Sequence, residues 1–200
     1  LGVAVATVIF PALSLHAARG EFHQMGSILV LGLRLVWFLA LPAGVGLILL
    51  ADPIAHLLFQ RGAFTVEDAE RTARMIAYYG SGVWAYCALP VVIRGYYALG
   101  DGTTPVRVGL GIVGLNFILN LVLVWPLGEA GLALSTSITA GLQVGLLAVL
   151  FLRRHRTLVW RQLGHSMSIS SIATLLMGLV GYGFLQLPSP ADELARRLWL

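Results

Sequence analysis

The chain of 200 residues is 58% hydrophobic and 11% charged, with a formal net charge of +4 and a mean hydropathy of +0.86. Soluble domains carry about 25% charged residues, so this composition excludes an ordinary soluble domain and predicts a membrane protein. Cys87 is the only cysteine, which excludes a disulfide framework and a cysteine-based metal site.

Five apolar stretches come close to or exceed the roughly 20 residues that a helix needs to cross about 30 Å of hydrocarbon. A sixth, shorter one at the start of the chain has the composition of the end of another span. We therefore predict an all-α fold, a polytopic transmembrane helix bundle of about six spans, and we expect the chain to be an internal piece of a longer protein. The apolar stretches are 1–15, 27–50, 75–99, 106–127, 130–152 and 168–187.

The loops between these stretches are short, so successive spans are predicted to run antiparallel. All basic residues are arginines, and they lie at the ends of apolar stretches, which favours headgroup and topology roles and excludes a nucleic-acid surface. The positive-inside rule predicts that the face with the denser arginine cluster is cytoplasmic. That face carries Arg19, Arg107, Arg153, Arg154, Arg156 and Arg161, and the other carries Arg61, Arg71, Arg74, Arg196 and Arg197.

Two arginines fall inside predicted spans. Arg34 lies seven residues beyond Ser27, about 10 Å into the membrane at 1.5 Å per residue, where an arginine costs about 2.5–3.5 kcal/mol. Either its side chain extends back to the headgroups, or it faces a wet cavity and attracts an anion. Arg94 is predicted at a similar depth and is interpreted first as an interfacial anchor, with a place in the cavity as the alternative.

Residues in and between the apolar stretches 27–50 and 75–99 predict where helices begin and bend. Thr65 and Asp68 have the spacing of a helix N-cap and its capping acid, which favours a short surface helix leading into the span that starts near residue 75. A plain solvated linker is the alternative.

Pro42 and Pro90 lie within spans and are expected to kink or break them.

The segment 96–107 is the most polar interruption of the apolar pattern. Gly100 and Gly102 are predicted to end one helix, Asp101 or Thr103 to accept amide hydrogen bonds from the next, and Thr104-Pro105 to form its first turn. We predict a tight helical hairpin, hereafter the joint (residues 100–105). It is a structural turn or, because two glycines flank an acid before a proline, a hinge.

Polar residues recur at helical spacing in the two spans that follow. Asn116 and Asn120 share one helix face, and Thr136, Thr139 and Gln143 share a face of the next helix. The two sets are expected to hydrogen-bond to each other and hold the helices together. Lining a water-filled passage is the alternative.

The sequence contains no recognisable catalytic motif. Paired carboxylates within a span and the HExxH, GxSxG and P-loop patterns are all missing, and the five histidines lack the spacing of metal ligands. We therefore expect a transporter that is not an enzyme and that uses no cofactor and no metal.

Four phrases, in this order and at this spacing, resemble the MurJ/MviN family of lipid II flippases, within the multidrug/oligosaccharidyl-lipid/polysaccharide (MOP) exporter superfamily. The resemblance covers roughly residues 1–154, while the remainder agrees in hydropathy alone. The phrases are LGVAVATVIFPALS, GLRLVWFLALPAGVGLILLADPIAHLLFQRGAFT, YYALGDGTTPVRVG and NFILNLVLVWPLGEAGLALSTSI.

The resemblance implies a fragment of a larger MOP-type transporter of about fourteen helices. Residues 1–154 would be second-lobe transmembrane helices, the end of one span plus four full spans, and residues 155–200 a cytoplasmic linker, one further span and the start of another. The joint and the arginines near residue 153 would be cytoplasmic. The arginines on which the family's cationic cavity depends lie mainly outside this chain, so Arg34 is the in-span cation that remains.

The implied function is translocation of lipid II, an undecaprenyl-pyrophosphate-linked peptidoglycan precursor, across the bacterial cytoplasmic (inner) membrane by alternating access. The implied partners are this lipid-linked glycan, membrane lipids and cell-wall synthesis proteins. Gly178, Gly181 and Gly183 would leave a shallow groove for the lipid tail. The alternatives are another exporter of the superfamily, for a lipid-linked oligosaccharide or a drug, and a non-transporting membrane scaffold for cell-wall synthesis.

Overall fold

The computed structural model describes residues 1–62, 64–154 and 160–186, and these residues form seven α-helices joined by short turns. The helices are α1 (Gly2–Ala18), α2 (Phe22–Leu49), α3 (Ala51–Phe59), α4 (Val66–Ala98), α5 (Thr103–Leu127), α6 (Glu129–Arg154) and α7 (Trp160–Gln186).

Five of the helices are long and apolar enough to cross a membrane, namely α2, α4, α5, α6 and the part of α7 from Ser166 to Leu185. The α1 helix is apolar but shorter. The predicted all-α bundle of about six apolar segments is therefore confirmed. Neither Pro42 nor Pro90 breaks its helix, since α2 and α4 run unbroken through them. In membrane helices, neighbouring helices and local adjustments can satisfy the backbone groups that a proline releases.

The α4 helix is the centre of the bundle. It packs against α1, α2, α3 and α6, while α5 packs mainly on α6, and α7 packs on α2. The core is made of small and branched side chains such as Val36, Val91 and Leu147, each fully buried. At 33 residues, α4 is about 50 Å long, more than the hydrocarbon requires, so its charged first turns extend beyond the apolar layer.

The ends of the helices define two ends of the bundle. At one end of the bundle α1, α4 and α6 finish and α2, α5 and α7 begin, and we call it the joint end. It carries the joint together with Arg19, Arg153 and Arg154, all three of which are exposed. The opposite end carries α3 and the start of α4. Arg153 and Arg154, the described part of the arginine cluster, thus lie at the same end as the joint, as the loop pattern predicted.

Between α2 and α4 the structure confirms the predicted helix cap and shows one helix that the sequence analysis missed. Thr65 caps α4 in a capping box: its hydroxyl oxygen accepts from the Asp68 amide at 3.2 Å, and its own amide donates to the Asp68 carboxylate at 3.0 Å. The predicted surface helix forms the first turns of α4 itself. The separate helix α3 was not predicted from the sequence.

Part of the predicted domain organisation falls outside the described residues. This applies to the linker residues 155–159 and to the start of a further span beyond residue 186, with Arg156, Arg196 and Arg197. The described part of the chain shows that α7 begins at Trp160, two turns before the predicted span.

Candidate functional site

The joint has the turn geometry that its residues predict. Gly100 ends α4 with a φ of 73°, a left-handed conformation that favours glycine. The Asp101 carboxylate then accepts hydrogen bonds from the Thr104 amide at 3.0 Å, the Thr104 hydroxyl at 2.7 Å and the Thr103 hydroxyl at 3.1 Å. Pro105 is buried in the first turn of α5. The joint is therefore a well-bonded turn, and its role as a hinge stays a prediction.

An ion pair ties the joint to the end of α6. Arg154 Nη1 donates to Asp101 Oδ2 at 2.8 Å, across 53 residues of sequence. The hydrogen bonds from Thr104, then those from Thr103 and the charge of Arg154, lower the pKa of Asp101 from 3.8 to about 2. The pKa of Asp101 is lower in the folded state than in the unfolded state, so ionisation of this carboxylate stabilises the fold. This stabilisation is complete above pH ~4 and is lost only as the pH falls towards 2. The Asp101 carboxylate is therefore ionised at every physiological pH.

A cavity of about 380 Å³ opens beside this ion pair at the joint end. Asp101 and Arg154 form its polar wall, and the ends of α1, α2 and α4 form the rest. Its lining residues are Ser14, Ala17, Ala18, Phe22, Ala98, Leu99, Asp101 and Arg154. A second opening of about 360 Å³ lies on the other side of Arg154, next to Tyr96, Thr104, Leu150 and Arg153. Arg154 of α6 thus borders both openings, and Arg153 borders the second.

The two in-span arginines have different surroundings. Arg94 is half-buried, with its guanidinium carbon 4.9 Å from the centre of the Phe10 ring on α1, a cation–π contact that fixes the side chain. Arg34 is exposed on α2 and makes no ion pair or hydrogen bond with any described residue. Among the described residues, Arg94 therefore has a structural partner and Arg34 has none, and a role of either in a cavity stays a prediction.

The polar residues of α5 and α6 form one hydrogen-bonded seam. Asn120 Nδ2 donates to Asn116 Oδ1 at 3.1 Å, and Asn116 Nδ2 donates to Thr139 Oγ1 at 3.1 Å. The Ser135 hydroxyl, wholly buried, donates to Asn120 Oδ1. The predicted contact between the two helices is thus present.

Two predicted members of the seam lie outside this network. The Thr136 hydroxyl donates to the Leu132 carbonyl of its own helix at 2.6 Å. Gln143 is half-buried and faces Gly109 of α5, and it makes no hydrogen bond to the residues that the structure describes. The sequence analysis missed Ser135, although its spacing of four residues from Thr139 was the signal that could have found it.

Replacing Asn120 with alanine is expected to weaken the attachment of α5. The change removes the bonds to Asn116 and Ser135, and interhelical hydrogen bonds in membranes contribute about 0.6 kcal/mol on average and up to about 1.7. The free energy of unfolding of the full-length protein, measured in mixed micelles, should fall by about 1 kcal/mol. Thr136→Ala is the matched control, because that hydroxyl bonds within α6, and equal losses in both variants would contradict the seam.

The glycines of α7 are mostly packing positions. A Cβ on Gly178 would lie 3.2 Å from Val45 Cγ1, and one on Gly181 would lie 3.2 Å from Leu49 Cδ1, so both glycines face α2. A Cβ on Gly183 would meet no described atom within 4 Å. Gly178 and Gly181 therefore pack against α2, and the groove that was predicted from all three glycines stays a prediction.

A small apolar cavity of about 100 Å³ lies between α2, α4, α6 and α7. Trp37 and Trp84 line it, with their rings 5.1 Å apart in an edge-to-face arrangement. The buried indole N–H of Trp37 has no hydrogen-bond partner among the described residues. The other lining residues are Leu33, Ala88, Val92, Val144, Ala148 and Met167.

These features define a polytopic α-helical membrane protein with a polar, cationic end and an apolar bundle. The family model for lipid II flippase MurJ matches residues 1–191. The chain therefore belongs to the MurJ family.

Individual relatives agree with this assignment. The chain is 39% identical over 146 residues to a probable lipid II flippase MurJ of Vibrio cholerae and 34% identical over 154 residues to lipid II flippase MurJ of Burkholderia cenocepacia. These matches cover 73% and 77% of this chain. A solved structure of lipid II flippase MurJ in an inward closed conformation matches over the whole of this chain, with 25% sequence identity and a TM-score of 0.70.

The chain is much shorter than these relatives. The matches span 28% of the Vibrio cholerae protein, 30% of the Burkholderia cenocepacia protein and 44% of the solved chain. The arrangement described here therefore corresponds to one part of a MurJ-type fold.

Proposed function

We propose that the protein to which this chain belongs translocates lipid II across the bacterial inner membrane by alternating access. The observation that carries this proposal is the match to the MurJ family model over residues 1–191. The likeness in fold to a MurJ structure, with a TM-score of 0.70 over the whole chain, supports it.

The physical chemistry of the cargo explains why such a bundle is needed. A pyrophosphate with a glycan attached cannot enter hydrocarbon without its hydration, because the cost of burying an unpaired charge is prohibitive. A carrier must therefore offer a hydrated passage with cationic groups for the head while the tail stays in lipid. Arg34 lies in a span and has no ion pair or hydrogen bond among the described residues, so we assign it to the passage, whereas Arg94 is held by Phe10 and serves as an anchor.

We place the joint end in the cytoplasm. Among the described residues, four exposed arginines lie at this end (Arg19, Arg107, Arg153 and Arg154) against three at the other (Arg61, Arg71 and Arg74), and cytoplasmic loops are enriched in such residues. In this orientation, the ion pair of Asp101 with Arg154 links the joint to α6 at the entrance from which the precursor arrives. We assign the tail to the open surface of α7 near Gly183.

The proposal is tested in cells that depend on the full-length gene. Depletion of the protein is expected to leave lipid II intact but inaccessible to an enzyme that cleaves it only from the outside. Restoring the full-length protein should return the accessible fraction to its starting value. An unchanged accessible fraction during depletion would rule out the flippase, and a loss of cell-wall enzymes from the membrane instead would indicate a scaffold.

The hinge role of the joint gives a separate prediction at Gly102. Its backbone is right-handed helical, with φ −82° and ψ −17°, and a Cβ would come no closer than 4.0 Å, to Tyr97. Alanine therefore fits without strain and is expected to raise stability by about 0.4–1 kcal/mol. If the joint bends during transport, Gly102→Ala should nevertheless slow lipid II translocation.

Gly100→Ala is the contrasting variant, because the left-handed backbone at Gly100 strains alanine by about 1–2 kcal/mol. It should lower thermal stability. Translocation at the wild-type rate in Gly102→Ala, at equal protein level, would mean that the joint is only a turn.

A further inference from the structure

The short helix α3 occupies a boundary position at the end opposite to the joint. Leu50 is both the C-cap of α2 and the N-cap of α3, so the chain passes from a span into α3 without a loop. Ala51 and Ala55 of α3 are buried against Ala73, Ile76 and Ala77 of α4. This packing fixes α3 where two membrane-crossing helices reach the membrane surface.

The remaining surface of α3 is divided into an apolar side and a polar side. At about 100° per residue, Ile54, Leu57 and Leu58 lie on one side of the buried alanines, with Leu57 73% and Leu58 56% exposed. Asp52 and His56 lie on the other side, where His56 Nε2 is 3.5 Å from Asp52 Oδ1. Leu57 and Leu58 are thus separated from Asp52 and His56 around this helix of nine residues, while its last residue, Phe59, is 47% exposed and lies on the side of Asp52.

This segregation fits a bilayer surface better than water or the hydrocarbon interior. A helix surrounded by water gains nothing by exposing Leu57 and Leu58, and a helix immersed in hydrocarbon would not carry Asp52 on a free face. Moreover, the apolar side continues the outward-facing surface of the end of α2, where Leu47, Ile48 and Leu50 are also exposed. Exposed apolar side chains therefore extend from the end of α2 through the Leu50 junction into α3.

We propose that α3 is an interfacial helix, with Leu57 and Leu58 inserted between the lipid headgroups and the acyl chains and with Asp52 and His56 turned towards water. Interfacial helices bury their apolar face about 5–10 Å into this region. Because α3 is joined to α2 through Leu50 and packed on α4, it holds this end of the α2–α4 pair at a fixed depth. Neither the family assignment nor the proposed transport is needed for this inference.

The test compares probes on the two sides of α3 in the full-length protein. Leu57→Cys and Asp52→Cys are each made in a cysteine-free background that includes Cys87→Ala. Each is labelled with the environment-sensitive fluorophore NBD and reconstituted in phosphatidylethanolamine–phosphatidylglycerol vesicles. Nitroxide lipids labelled near the headgroup or near the chain end report contact with lipid, and aqueous iodide reports contact with water.

The proposal expects a blue-shifted emission at position 57, with a larger loss of intensity from the shallow nitroxide than from the deep one. At position 52 it expects a longer emission wavelength and the larger loss from iodide. Iodide quenching at position 57 equal to that at position 52 would place both sides of α3 in water and overturn the proposal. Shielding of position 57 from both quenchers would also overturn it, since protein would then cover Leu57.

Discussion

Replacing Gly44 with alanine is expected to force α2 and α4 apart and to destabilise the full-length protein by about 1–3 kcal/mol, the usual cost of overpacking a close contact. A Cβ on Gly44 would lie 2.6 Å from the backbone carbonyl oxygen of Gly80. The obstacle is backbone, so no rotation of a side chain can relieve it. Close packing of this kind supplies much of the stability of membrane helix pairs, and α4 is the helix on which most of the bundle rests.

Gly46→Ala is the matched control on the same helix. A Cβ there meets no described atom within 4 Å, and alanine is favoured over glycine in a helix interior by up to about 1 kcal/mol. Thermal unfolding in detergent should therefore separate the two variants, with Gly44→Ala less stable and Gly46→Ala at or above the wild type. Similar midpoints for both would show that α2 and α4 can separate at little cost, against the packing described here.

The sequence was sufficient for features that depend on local chemistry. Hydrocarbon thickness and the need to satisfy backbone hydrogen bonds inside a membrane dictate long apolar helices, and five of them were found where composition placed them. The joint followed from Gly100, which can take a positive φ, and from Asp101, which can accept amide and hydroxyl hydrogen bonds. The capping box at Thr65 was visible for the same reason.

The features that depend on contacts between distant segments were not available from the sequence. Nothing near Gly44 indicates that it meets Gly80, because the meeting point is set by how α2 crosses α4. The Arg154–Asp101 pair, the cation–π contact of Arg94 with Phe10 and the packing of Gly178 on α2 have the same origin. The α3 helix was missed because its nine residues include a proline and are too few to show a period.

Replacing Arg34 with alanine is expected to reduce lipid II translocation strongly while leaving membrane insertion intact. An arginine in a span costs about 2.5–3.5 kcal/mol, and the described residues offer Arg34 no ion pair or hydrogen bond in return. If it serves the pyrophosphate, its loss removes a charge-assisted hydrogen bond of about 1.5–3 kcal/mol, which corresponds to a roughly 10- to 100-fold lower rate. The rate is measured as the external accessibility of lipid II at equal protein level.

Two further variants separate the roles that Arg34 could have. Arg34→Lys keeps the charge but loses the two-pronged hydrogen bonding of the guanidinium, so it should restore part of the activity if the ligand is a phosphate. Arg107→Ala removes another exposed arginine, at the start of α5, and should transport normally. Undiminished translocation in Arg34→Ala would make Arg34 a headgroup anchor.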